Sequence, residues 1–162
     1  MDTLHTFSTE SLAKNILGDD FVTAAEITKV RRNLTYGPES LALLSATIPA
    51  EEILFWLREN DFALMAPPPT PSSLLEVRAI ERNRFEALSG GWYARDEEVF
   101  SHDETTPPDW LAIRKGVVPN STGKTFEAQV KLLSGVERVP SAVEASWFIT
   151  TYNMVRGARL LE

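Results

Sequence analysis

Up to Asn60 the apolar residues recur at helical spacing, and each run ends at a conventional stop. Ser8 to Leu17 opens on a capping serine or threonine and closes at Gly18. Thr23 and Glu26 stand three apart and form a capping box, which predicts a short helix through Arg31. Gly37-Pro38 restarts the chain for a helix over 38–47, and Pro49 suits the first turn of another that reaches about Asn60. In that helix Ile53, Leu54, Phe55, Trp56 and Leu57 are contiguous. The run is wider than one apolar stripe, so the helix is expected to pack on two sides.

Phe62 to Ala66 is an apolar run too short for a helix and predicts a buried strand. Pro67 to Pro71 then reads as a stiff connector. A second capping box, Ser73 with Glu76, opens a helix expected to reach Leu88 and to stop at Gly90-Gly91. From Trp92 the pattern becomes β-like at Trp92–Ala94, Val99–Ser101 and Trp110–Val118, with charged or turn-rich residues between. Two helices close the chain. Thr125 to Ser134 carries Phe126, Val130 and Leu133 on one face, and a third capping box, Ser141 with Glu144, opens a helix that ends at Gly157. The expected class is α+β: short N-terminal helices, a small, mostly antiparallel sheet, and two C-terminal helices.

A chain of 162 residues, 43% hydrophobic and 24% charged, can bury one good core. A single domain over 1–162 is expected, with room for a helical subdomain over 1–60 and an α+β subdomain over 61–162. The N-terminus has neither the cationic region nor the apolar run of a secretory signal, and the chain is read as cytoplasmic with no membrane span. Cysteine is absent and there are two histidines, so thiol chemistry, disulfides and iron–sulfur ligation are excluded and no metal or cofactor is expected. Net charge is −7, with 18 acids and 9 bases in residues 1–104 against 5 acids and 7 bases in 105–162. That mild C-terminal excess is far from the clustered basic stripe that phosphate backbones select, which argues against nucleic acid as a partner.

Trp110 to Thr125 imitates a phosphate loop, since a strand, a small-residue turn ending Gly123-Lys124-Thr125 and a helix follow one another. The pattern needs a glycine five residues before Gly123, where the chain has Val118, and Pro119 behind it has no N–H to offer. Ser121, Thr122, Gly123, Lys124 and Thr125, with Arg114 on the strand, therefore remain a candidate for weak anion binding rather than for nucleotide hydrolysis. The bland reading of the same residues is a turn that caps a helix. His102, Asp103 and Glu104, with Asp96 to Glu98 nearby, are read as a solvated acidic loop rather than a metal site. Of the four tryptophans, Trp56, Trp110 and Trp147 fall at interior positions. Trp92 and Tyr93, after Gly90-Gly91 and beside Arg95, form the candidate partner-facing patch.

Read in order, Gly90-Gly-Trp-Tyr-Ala94, Trp110-Leu-Ala-Ile-Arg-Lys115, Val118-Pro-Asn-Ser-Thr-Gly-Lys-Thr125, Glu137-Arg-Val-Pro140 and Trp147-Phe-Ile-Thr-Thr-Tyr152 resemble a family of uncharacterised bacterial and mobile-element proteins. The resemblance covers most of the chain and is firmest after Glu51. It implies a bacterial or phage-associated source and carries no reaction. It also implies that residues 1–162 are the N-terminal portion of a longer protein. The apolar pair Leu160-Leu161 after the Gly157 stop agrees with that, and in a domain cut from a longer protein Arg159 to Leu161 are expected to be extended as an edge strand or docked in a homodimer. The preferred functional expectation is a non-enzymatic interaction module that binds a protein partner or a C-terminal extension. The alternative is a small phosphate- or nucleotide-binding enzyme using the 118–125 loop.

Overall fold

The computed structural model describes residues 8–80, 82–85 and 91–160. The N-terminal helices form where local signals place them. Helix α1 (Thr9–Leu17) is capped by the Ser8 hydroxyl, which accepts from the Ser11 N–H, and α2 (Ala24–Val30) carries both arms of the Thr23–Glu26 capping box. Helices α3 (Pro38–Ala46) and α4 (Glu51–Glu59) follow. Three short strands lie in the order β1-β2-β3: β1 (Phe21–Val22) runs parallel to β2 (Phe62–Met65), and β3 (Leu111–Arg114) runs antiparallel to β2 on its other side. The sheet is small and mixed, with the longer of its two pairings antiparallel, and the fold is α+β as expected.

Side-chain alternation along β2 sorts the helices into two layers. Phe62 and Leu64, with Phe21 of β1, pack against Ala13, Ile16 and Leu17 of α1 and Leu54 and Leu57 of α4. Ala63 and Met65, with Val22 and Leu111, pack against Ile27 of α2, Leu74 and Val77 of α5 (Leu74–Ile80), and Val143, Trp147, Phe148 and Tyr152 of the last helix, α8 (Ala142–Arg156). With both faces covered, all four residues of β2 are buried, which is why it reads as an unbroken apolar run. Pro67 and Pro69 behind it are held by the Tyr36 and Ser40 hydroxyls, which donate to their carbonyls, so the proline run is a packed connector.

The region after α5 departs from the expected strands. Trp92–Ala94 is a 3-10 turn and Val99–Asp103 is a short helix, α6, and neither pairs with the sheet. Aromatic and β-branched content suggested strands there, but Tyr93 and Phe100 reach the core from short helical turns instead, because a strand propensity is mostly a measure of how a side chain packs. The β3 strand is shorter than the apolar run that announced it. Helix α5 begins at its capping box, where the Ser73 N–H donates to Glu76 at 2.7 Å, and a 3-10 turn follows at Arg82–Arg84; the expected end near Leu88 and Gly90 lies outside the described residues. Helix α7 (Phe126–Val130) is half the expected length and continues as turns. Helix α8 has both arms of the Ser141–Glu144 capping box and ends at Gly157, whose φ of 70° favours glycine. Beyond it residues 158–160 form no strand, and Leu161 lies outside the described residues. No single helix among the described residues is long and apolar enough to cross a membrane.

Candidate functional site

The Gly-Lys-Thr loop folds as two successive turns closed on themselves. The Ser121 N–H donates to the Val118 carbonyl at 3.1 Å and the Lys124 N–H to the Ser121 carbonyl at 3.3 Å, so two amides that an anion would need point inward. Gly123 sits at a φ of 73° and Asn120 at 62°, which shapes the reversal. The Thr125 hydroxyl accepts from the Ala128 N–H and caps α7, a helix of five residues. Thr122, Gly123 and Lys124 are exposed and Ser121 is buried. Arg114 is turned elsewhere: it donates to the Asn60 carbonyl at 2.8 Å and pairs with Glu137 at 2.5 Å. The neighbouring Lys115 sits between Asp20 and Asp61, 2.9 and 3.1 Å away. The structure thus brings Ser121 to Thr125 together in one loop and spends the nearby cations on carboxylates of the fold.

The second candidate, Trp92, Tyr93 and Arg95, falls on the 3-10 turn and just after it. The Tyr93 ring is half-buried against the α8 side of the core, with the Arg78 guanidinium 5.4 Å from its centre, while Arg95 is exposed. The Trp92 side chain lies outside the described part of the structure. Across the acidic segment, His102 is within 3.2 Å of the Arg95 carbonyl, and no group of three His, Asp or Glu side chains among the described residues is placed to hold a metal ion.

A larger feature lies along β3. A groove of about 940 Å³ is walled by Ile53 and Trp56 of α4 on one side and by Ala145 and Ile149 of α8 on the other. Its outer wall is the 117–140 segment, which contributes Val117, Phe126, Val130, Leu133, Val136 and Val139. All four residues of β3 line it. Successive side chains of a strand point to opposite faces, so the groove must run along the edge of β3 between the two helix layers. Its lining is unusually apolar for a surface: Val136 is 78% exposed, Phe126 65% and Ile53 52%.

Hydrogen-bond alternation fixes which backbone groups face this groove. Phe62 pairs with Arg114 and Leu64 with Ala112, and just beyond the strand the Lys115 N–H donates to the Asp61 carbonyl at 2.9 Å. In an antiparallel ladder bonded and non-bonded pairs alternate, so Ala63–Ile113 and Met65–Leu111 are bonded pairs. The N–H and C=O groups of Ala112 and Arg114 therefore point away from β2, and among the described residues none of them has a hydrogen-bond partner.

The polar part of the lining is mostly neutralised. Arg138 grips Glu144 with both nitrogens, at 2.8 and 2.5 Å, and this hydrogen-bonded contact, opposed by burial, holds the Glu144 carboxyl below the usual range. Burial pushes the Glu137 carboxyl up, but the Ser134 N–H and Arg114 outweigh it and hold it low. Glu52, exposed at the α4 end, is the one lining charge without an ion pair among the described residues. The apolar walls and the outward-facing backbone groups of β3 suit binding by apolar burial and by strand-edge hydrogen bonds.

The sequence named the helices whose faces line the groove without showing that they face it. The over-wide apolar run Ile53–Leu57 and the stripe Phe126, Val130 and Leu133 were the available signals, and Val136 and Val139 between Gly135 and Pro140 were a third. No family model, curated protein or solved structure matches the chain.

Proposed function

We propose that this protein is a non-enzymatic interaction module and that the groove beside β3 is where its protein partner docks. The observation that carries this reading is convergence: exposed apolar side chains from α4, α7, the 131–140 segment and α8 meet on one groove of about 940 Å³ instead of being scattered over the surface. Contiguous exposed apolar area costs solubility, and proteins that retain it use it for recognition. The pairing of Arg114 with Glu137 and of Lys115 with Asp20 and Asp61 favours this reading over a phosphate site, because the two cations on and just after β3 are neutralised by carboxylates of the fold and Lys124 is the cation left to the loop.

The test is a selection from a display library of random peptides on the wild-type protein and on a groove-blocked variant, Ile53→Asp with Val136→Asp. Both positions are exposed, so the variant is expected to fold. Peptides enriched on the wild type and lost on the variant support the groove. Equal enrichment on both proteins places recognition elsewhere and overturns the reading.

A further inference from the structure

Resting on the docking role just proposed, we infer that the partner enters this groove as an extended segment and pairs with β3 as a fourth strand of the sheet, through a short apolar run flanked by a basic residue.

The backbone supplies the first part of the argument. Ala112 and Arg114 present two N–H and two C=O groups, spaced two residues apart along a strand edge, to the groove. A helix has no backbone donors or acceptors to return, because its own are used internally, and a small apolar molecule has none either. An extended chain returns an alternating set at the same spacing, which is the pattern of strand addition.

The walls supply the second part. The groove lies between the helix layers, so a strand added at β3 would project alternate side chains onto Ile53 and Trp56 of α4 and onto Ala145 and Ile149 of α8. Both walls are apolar. The environment is that of β2, whose four residues Phe62-Ala63-Leu64-Met65 are buried on both faces, and it selects the same kind of occupant: a continuous apolar run rather than an alternating one. A second copy of β3 would bring an exposed Ala112 and the charged Arg114, which matches this environment less well.

Charge supplies the third part. Arg114 and Arg138 are matched by Glu137 and Glu144, which leaves Glu52 as the unbalanced charge of the lining, on a protein whose net charge is −7. A lysine or arginine at the end of the occupant that reaches α4 complements it.

The probe is a synthetic fluorescent peptide with a Val-Ile-Val-Ile core between lysines, read by fluorescence anisotropy, against three comparisons. The first is the same peptide N-methylated at the alternate core residues whose N–H groups face β3, which keeps the side chains and deletes the hydrogen bonds that the peptide donates to the Ala112 and Arg114 carbonyls. The second is Ala112→Pro, which removes an N–H that β2 does not use. The third is Glu52→Lys. Saturable binding is expected on the wild-type protein, weakened about tenfold or more by N-methylation and by Ala112→Pro, the loss of affinity that one forfeited hydrogen bond can carry. Glu52→Lys should weaken the lysine-flanked peptide severalfold and leave a serine-flanked one unchanged. Amide exchange at Ala112 and Arg114 should slow on binding.

Binding that Ile53→Asp abolishes but N-methylation leaves intact would overturn strand addition while sparing the groove as a docking site. Absence of saturable binding would overturn the strand-addition proposal, and the display selection would then decide the docking role separately. A dimer in solution whose Ala112 and Arg114 amides are already protected would assign the edge to a second copy and overturn the proposal. Should Ala112→Pro fail to fold, the N-methylated peptide decides the matter alone.

Discussion

Arg114 joins Glu137 at 2.5 Å while its other arm donates to the Asn60 carbonyl at 2.8 Å, so one side chain ties the outer wall of the groove to the end of α4. Its guanidinium also stacks over Phe62, 4.9 Å from the ring centre. The Glu137 side chain is 8% exposed and that of Arg114 20%, so water screens the pair only partly. Glu137→Ala is expected to cost about 1.5–3 kcal/mol, the range for a hydrogen bond to a charged group. Urea unfolding measures the loss, and limited proteolysis should show earlier cleavage within 126–140. A variant as stable and as resistant as the wild type would mean that the wall is held by its apolar contacts alone.

Trp147 is fully buried, donates its indole N–H to the Ala66 carbonyl at 3.1 Å, and carries the Arg31 guanidinium over its ring at 4.7 Å. Trp147→Ala is expected to cost about 3–5 kcal/mol, as for other deleted core aromatics. Trp147→Phe keeps much of the packing and should cost less. Denaturant unfolding of both variants checks the order.

Glu26 joins three parts of the chain. It completes the capping box of α2 and pairs with Arg156 of α8 at 2.9 Å and with Lys14 of α1 at 3.4 Å. Burial pushes its carboxyl up, but the hydrogen bonds from Arg156 and Thr23 and the charges of Arg156 and Lys14 prevail and hold it at about 2. A folded value below the ordinary 4.5 means that the unfolded chain binds the proton more tightly. The stabilisation is present above about pH 5 and is lost as the pH falls toward 2. Melting temperatures from pH 7 to pH 2 should therefore decline, and Glu26→Gln should be less stable at pH 7 and converge on the wild type at the acid end. Parallel curves would show that Glu26 does not titrate in this window.

At the end of α8, Gly157 has a φ of 70° and its N–H donates to the Asn153 carbonyl at 2.8 Å. A Cβ there meets no neighbouring atom, so Gly157→Ala isolates the backbone term. Thermal unfolding is expected to show a loss of about 1 kcal/mol, the scale of placing an L-residue in the left-handed region.

ATP, GTP and inorganic phosphate, with or without magnesium, are expected to leave the melting temperature unchanged. The loop amides of Ser121 and Lys124 are turned inward, and Arg114 and Lys115 are paired with acids. Stabilisation by any of these ligands that Lys124→Ala removes would restore the 118–125 loop as a binding site.

The sequence alone determined the elements whose causes are local. Ser8, the boxes at Thr23–Glu26, Ser73–Glu76 and Ser141–Glu144, and the stop at Gly157 act within a single helical turn, and each stands where the spacing of residues placed it. The run Phe62–Met65 announced its burial because both of its faces are covered. What no local signal carries was decided by tertiary pairing. The two-residue strand Phe21–Val22 exists only through its parallel partner Leu64–Met65, and Tyr93 and Phe100 join the core from helical turns because the space beside α5 and α8 receives them that way. The groove belongs to the same category. Periodicity gives Phe126, Val130 and Leu133 a common apolar face and gives α4 a second one, but whether anything covers those faces depends on the path of residues 116–140 around the edge of β3, and that path leaves them open.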